Sequence, residues 1–236
     1  MKVLLWDIDG TLLNFGMAEK YAIRKCFSIF GIGECSDEML GRYSAINRTY
    51  WERLERRELT REQVLHGRFE EFFAKEKIPF DKIREFNAEY QVRLGDKAFF
   101  HDDGYEVVKR LKGCVKQYAV TNGTSVAQER KLRLSGLDEL LDGVFISESI
   151  GADKPSPVFF DAVWKTIGTY RPEDVAIIGD SLTSDMQGGN NAGILCWWYN
   201  PEHRKNDKGV RIDREIFDLH EVWELITNKV KGGTEE

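Results

Sequence analysis

Four short apolar runs, each broken off by a cluster of polar residues and separated from the next by helix-length sequence, constrain this chain most. Val3-Leu4-Leu5-Trp6 runs into Asp7-Ile8-Asp9-Gly10-Thr11, and Lys116–Val120 into Thr121-Asn122-Gly123-Thr124. Val144–Ser147 precedes Gly151-Ala152-Asp153-Lys154-Pro155, and Val175–Ile178 precedes Gly179-Asp180-Ser181-Leu182-Thr183-Ser184-Asp185. Apolar runs of this length bounded by turn residues read as buried strands. Strands that alternate with helices build a parallel sheet covered on both faces, and such sheets bind ligands beyond the carboxyl ends of their strands. All four polar clusters fall at carboxyl ends, so the fold is expected to bring them together.

The helical segments follow from periodicity and capping. Predicted helices over Tyr105–Lys112, Ser125–Ser135 and Val158–Ile167 link these strands, the last with Ser156 as N-cap and Pro157 in its first turn. A helix to about Ala192, a strand Ile194–Trp198 and a final helix near Arg214–Val230 complete the alternation. Of Trp197 and Trp198, one is expected to face the core and the other to face out. Between the first and second strands, Met17 to about Gly95 shows helical spacing and no strand. Ala18, Ala22, Cys26 and Ile29 form one stripe, and Leu65, Phe69, Phe72 and Phe73 another. Asp37–Glu55 reads as a further helix; Thr60 with Gln63 makes a capping box, Pro79 or Asp81 starts the last helix, and Gly95 ends it. The expected fold class is α/β: a doubly wound, Rossmann-like parallel sheet formed by residues 1–15 and 96–236, with an inserted all-helical domain over 16–95.

Asp7 and Asp9 share one face of an extended strand, because side chains alternate with a period of two. Two carboxylates held that close repel, and a cation is the usual remedy. Gly10 lets the backbone turn and approach a ligand. The pair therefore reads as a metal-assisted carboxylate nucleophile. The net charge of −6 over 236 residues gives no support to a nucleic-acid groove or a basic membrane patch. No apolar run reaches membrane-spanning length, and Asp7 interrupts the N-terminal candidate for a signal peptide. Cys26, Cys35, Cys114 and Cys196 form no CxxC pair, which favours reduced thiols over zinc or disulfides, and a cytoplasmic location is expected.

DIDGT at 7–11, a strand ending in Thr121, Lys154-Pro155 and GDSLTSD at 179–185 resemble, in order, the four motifs of the haloacid-dehalogenase-like hydrolases. The likeness extends over the whole chain, since a helical cap after the first motif is also that family's layout. The resemblance implies Asp7 as the nucleophile that forms an aspartyl-phosphate, and Asp9 as the acid for the leaving alkoxide and the base for hydrolytic water. It implies phosphoryl contacts from Thr121 and from backbone N–H groups around Asn122 and Gly123, and charge balance from Lys154. The implied cofactor is Mg²⁺, with Asp7, the main-chain carbonyl of Asp9 and Asp180 as ligands; Asp185 orients Lys154 or a metal-bound water. Residue by residue, plainer readings stand beside these: Thr121 as an N-cap, Lys154 as a loop lysine, and Asp180 and Asp185 as helix caps. Only the set favours function.

The run GDSLTSDMQGGNNAGILCWWYNP, 179–201, resembles the noncanonical pyrimidine nucleotidases, as does the stretch Ile46-Asn47…Trp51…Glu55…Glu58-Leu59-Thr60-Arg61-Glu62. The substrate class implied is a small phosphorylated metabolite, a pyrimidine nucleoside 5′-monophosphate. Asn47, Tyr50 and Trp51 are candidate base contacts; Tyr50, Trp51 and Leu54 are equally at the spacing of a helical core. Phe15, beside Gly16, faces either the substrate or the cap. The alternatives within the family are a phosphatase of another metabolite such as phosphoglycolate, a β-phosphoglucomutase-like mutase, and a non-catalytic phospho-ligand binder. Asp9 argues against a dehalogenase, which generally lacks the second carboxylate. The sequence leaves the oligomeric state open.

Overall fold

In a computed structural model, residues 1–231 are described, with side chains through residue 227. Among the described residues the order is β1 (Val3–Trp6), α1 (Phe15–Ile29), α2 (Asp37–Glu55), α3 (Arg61–Lys75), α4 (Ile83–Leu94), α5 (Gly104–Leu111), β2 (Lys116–Thr121) and α6 (Ser125–Ser135). There follow β3 (Gly143–Ile146), α7 (Ser147–Ile150), α8 (Pro157–Ile167), β4 (Val175–Gly179), α9 (Gln187–Ala192), β5 (Leu195–Tyr199), β6 (Arg214–Ile216) and α10 (His220–Lys231). No described helix is long and apolar enough to cross a membrane.

The strands form one parallel sheet in the order β3-β2-β1-β4-β5-β6. Val3 stands beside Lys116 on one side and Val175 on the other, so β1 is central. All four of its residues are buried, which accounts for an unbroken apolar run where a half-exposed strand would alternate. The strand order reverses direction between β1 and β4, the switch point at which open α/β sheets leave a crevice at their carboxyl ends. Asp7 and Asp180 immediately follow those two strands. Val3, Leu5, Ile177, Cys196 and Trp198 pack with Phe159, Phe160 and Val163 of α8. From β1's other alternation, Trp6 donates its indole N–H to Gln117 (3.0 Å), and Gln117 donates to the carbonyl of Val108 in α5 (2.9 Å).

The chain divides into two compact units: residues 1–14, 99–125 and 135–236, and residues 15–98 with 126–134. In the second unit, α1 to α4 enclose an aromatic core that includes Phe27, Tyr43, Phe69, Phe72, Phe73, Phe86 and Tyr90, with Phe69 and Phe86 centroids 5.0 Å apart. The Thr60–Gln63 capping box forms as the spacing predicts. A buried polar chain crosses this core. Glu19 of α1 accepts from Ser44 and Asn47 of α2, Asn47 accepts from Arg68 of α3 (2.7 Å), and Arg68 donates to Asn87 of α4 (3.1 Å). Residues 126–134 join this unit through α6, where Arg130 packs on Gly95 and pairs with Asp96 at 2.8 Å.

Several local expectations need correction. Arg214–Ile216 is an edge strand beside β5, so the final helix begins only at His220. Trp197 and Trp198 are both buried, because β5 is an interior strand with both faces covered. Ile29 is exposed at the end of the α1 stripe, whereas Ala18, Ala22 and Cys26 are buried. The last helix of the insert starts at Ile83, past both Pro79 and Asp81. Ser156 holds the N-cap position of α8 without a side-chain capping bond, and Pro157 follows it. Cys26, Cys35 and Cys196 are buried free thiols, and Cys114 is an exposed one.

Candidate active site

The end of β1 carries the first functional group. Asp7 is buried, its N–H donates to the carbonyl of Ile178 on β4 (2.9 Å), and its Oδ2 accepts from the Thr11 hydroxyl (3.1 Å). Asp9, two residues on, is half-buried, and its backbone bridges to that of Leu13. Gly10 between them has φ +101°, and a Cβ there would come within 2.8 Å of the Asp180 carboxylate. Glycine is required at this point both for its backbone and for the approach of β4's carboxylate.

Lys154 reaches the same place from the loop before α8. It is 1% exposed, and its ammonium donates to Asp7 Oδ1 (2.8 Å), Asp185 Oδ1 (2.6 Å) and the carbonyl of Val120 (2.7 Å). An ammonium has three N–H donors, so all of them are engaged. Burial opposes the charge on Lys154, but the carboxylates of Asp185 and Asp7 outweigh it and hold the pKa above the usual lysine value. Lys154 in this arrangement therefore orients and neutralises Asp7 through direct bonds, and any phosphoryl contact requires exchanging one of them.

Asp185 sits in a wide π-type turn over Leu182–Met186, immediately after β4. Irregular turns of this kind concentrate at functional sites because they re-aim a side chain. The second oxygen of Asp185 accepts from the Ser181 N–H (3.1 Å). A Cβ on Gly179 would lie 2.3 Å from the Asp185 carboxyl carbon, so this glycine makes room for the turn to fold back. Asp180 keeps 30% of its side chain exposed. Its main-chain carbonyl accepts from the Trp198 indole (3.0 Å) and from Arg204 (2.8 Å).

Oxygens of Asp7, Asp180 and Asp185 lie within 4.8 Å of one another. Burial, with the nearby charge of Asp185, raises the Asp7 pKa well above its ordinary value. The same two causes push Asp180 up to about 7. A crowded carboxylate group that holds protons this strongly also favours a hard cation that replaces them. The donor set is all oxygen, as a divalent ion such as Mg²⁺ requires, and the two glycines keep its walls open. The residues present fit the metal that the motifs imply. Asp9 contributes no carboxylate to this group of three, and Asp185 is shared with Lys154.

The remaining expected contacts fall into two classes. Thr121 ends β2, 1% exposed, and its Oγ1 accepts from the Gly123 N–H (3.1 Å), which leaves the hydroxyl proton to be directed elsewhere. Asn122 clamps the Lys154 backbone: its Oδ1 accepts from the Lys154 N–H (2.8 Å) and its Nδ2 donates to the Lys154 carbonyl (2.9 Å). Asn122 is thus held as a brace for Lys154. Within the helical unit, Asn47 is buried between Glu19 and Arg68. Trp51 is half-buried, with the Arg61 and Arg68 guanidinium carbons 5.8 Å and 6.0 Å from its ring centre. Sequence reading missed Thr11, Trp198, Asn200 and Arg204. Thr11 stands in the motif already singled out, whereas Arg204 lies in a polar loop without any pattern.

Known proteins resemble this one over nearly its whole length. A family model described as haloacid dehalogenase-like hydrolase matches residues 1–193. The HAD-hydrolase YfnB of Bacillus subtilis, in a crystal structure bound to magnesium, is 32% identical with a TM-score of 0.89, covering 95% of this chain and 98% of that one. Pyrimidine 5′-nucleotidase PynA of Streptococcus pneumoniae is 30% identical over 97% of this chain and 96% of its own. Pyrimidine 5′-nucleotidase YjjG of Escherichia coli is 26% identical over 94% and 96%. Similarity of this extent, over a sheet that delivers the same motifs to one end, decides the family: the chain belongs to the haloacid dehalogenase-like hydrolases.

Proposed function

We propose that this hydrolase is an Mg²⁺-dependent phosphomonoesterase that works through an aspartyl-phosphate on Asp7, with pyrimidine nucleoside 5′-monophosphates as its substrates. The observation that carries the chemistry is the buried Asp7 carboxylate, fixed by Lys154 and Thr11 beside Asp180 and Asp185. An Asp7 oxygen attacks phosphorus while the bond to the leaving oxygen breaks, and Asp9 gives that oxygen a proton. Water then attacks the same phosphorus, Asp9 takes its proton, and the bond to Asp7 breaks to release inorganic phosphate. Thr121 donates its hydroxyl to a phosphoryl oxygen, helped by backbone N–H groups of the same loop. Asp7, Asp180 and the Asp9 carbonyl hold the metal, with Asp185 behind them, and the bound ion supplies charge stabilisation to the phosphoryl group.

The substrate class is supported by PynA and YjjG, which carry the pyrimidine 5′-nucleotidase name and align with this chain nearly end to end. The test is phosphate release from UMP, dUMP, dTMP, purine monophosphates, phosphoglycolate and β-glucose 1-phosphate, with Mg²⁺ and with EDTA. The expected outcome is metal-dependent release concentrated on the pyrimidine monophosphates and abolished in Asp7→Asn. Release from other phosphates only keeps the phosphatase and removes the nucleotidase. Isomerised sugar phosphate with little free phosphate replaces both with a mutase.

A further inference from the structure

The loop after β5 makes an unexpected connection to the acidic cluster. Arg204 Nη2 donates to the Asp180 carbonyl at 2.8 Å and lies 3.8 Å from that residue's Oδ2. The same carbonyl takes the Trp198 indole N–H, and the Arg204 guanidinium lies 5.7 Å from the centre of the Trp198 ring. A carbonyl oxygen accepts two bonds, so both acceptor positions of Asp180's main chain are filled by β5 and its loop. Arg204 is itself held. Asn200, fully buried, accepts from the Arg204 N–H (3.0 Å) and Nε (3.3 Å) and donates to the Arg204 carbonyl (2.9 Å). The Asn200 Nδ2 also donates to Glu215 on β6 (2.5 Å).

We infer that Arg204 is a positioning residue for the metal site, fixing the main chain of Asp180 so that its carboxylate points at Asp7 across Gly10. The inference rests on the metal-site reading above. Asp180 needs such support because its carboxylate is crowded by those of Asp7 and Asp185, within 4.8 Å, and its side chain is the most open of the three. Groups that orient a metal ligand from behind commonly change metal affinity by about 10–100-fold when removed. A competing physical effect predicts the opposite sign: a cation close to Asp180 weakens binding of a second cation, so its removal would tighten binding. The sign of the change therefore separates the two.

The experiment is Mn²⁺ binding, followed by the electron paramagnetic resonance of the free ion, for the unaltered chain, Arg204→Ala and Arg204→Lys. The expected result is an approximately tenfold weaker Kd in both variants. Lysine keeps the charge but loses the fork that joins Asn200 to Asp180. Metal-free melting temperatures are expected to stay close to that of the unaltered chain, because Arg204 is half-exposed on a loop. Unchanged or tighter binding in Arg204→Ala overturns the inference, as does full restoration by Arg204→Lys. Absence of Mn²⁺ binding by the unaltered chain overturns the metal site itself and this inference with it.

Discussion

At the residue scale, the site is organised around a shortage of space. Three carboxylates and one ammonium fit together only because Gly10 and Gly179 have no Cβ. Gly179→Ala places a methyl 2.3 Å from the Asp185 carboxyl carbon, and overpacking of this sort costs about 1–3 kcal/mol. The expected outcome is a fall of at least about tenfold in kcat, since Asp185 then leaves Lys154 and Lys154 loses part of its hold on Asp7. Steady-state kinetics beside a denaturant melt separates the two effects. Lys154→Met removes the only side-chain cation bonded to both Asp7 and Asp185 among the described residues. A buried pair broken on one side costs about 3–5 kcal/mol, which urea titration at neutral pH measures. Much of this site was legible in the sequence, because Asp7, Asp180 and Asp185 lie in short motifs that follow strands and Lys154 in a Lys-Pro pair of the loop before α8. Arg204 was not, because its role depends on a loop returning to Asp180 from 24 positions later in the chain.

At the scale of elements, the carboxylates of the cluster are delivered by a strand end or by the turn that follows one, and Lys154 by the loop between α7 and α8. Alternation of apolar runs and helices was enough to expect that delivery. It did not show how the deliveries are tied together. Asn122 lies in the loop after β2 whose backbone N–H groups are expected to meet a phosphoryl group, and its side-chain amide brackets the backbone of Lys154 with two bonds. Asn122→Ala frees the Lys154 loop while keeping Lys154 itself. Loss of an orienting partner of this kind commonly lowers activity by about 10–100-fold; kcat is expected to fall within that range, with circular dichroism unchanged. Short edge elements were the least legible. Arg214–Ile216 is three residues long and polar at two of them, so periodicity had nothing to detect, and only pairing with β5 makes it a strand.

At the scale of the whole molecule, the two units hold their interiors by different means. The sheet unit packs aliphatic residues with Phe159, Phe160 and Trp198, whereas the helical unit runs a line of buried polar side chains through an aromatic core. Burial is the main cause that raises the Glu19 pKa above its ordinary 4.5; bonds from Ser44 and Asn47 and the charge of Arg68 act the other way. Between 4.5 and the folded-state value, the unfolded chain has released this proton and the folded chain retains it. Stability from Glu19 is therefore fully present below 4.5 and is lost as pH rises through the folded-state pKa. Glutamine at this position has no such titration. The difference in melting temperature between the native chain and Glu19→Gln is expected to shrink as pH is raised from 4.5 toward neutrality. A constant difference over that range would show that Glu19 keeps an unshifted pKa.

Glu19, Asn47, Arg68 and Asn87 come from four successive helices, one from each. Directional bonds of this kind specify one alignment of the bundle, where aromatic packing alone tolerates sliding by a turn. An insert aligned from its interior leaves its outward positions and connecting loops free to change without losing its shape. Substitutions confined to those outward positions are then absorbed by the unit without altering the alignment of its four helices.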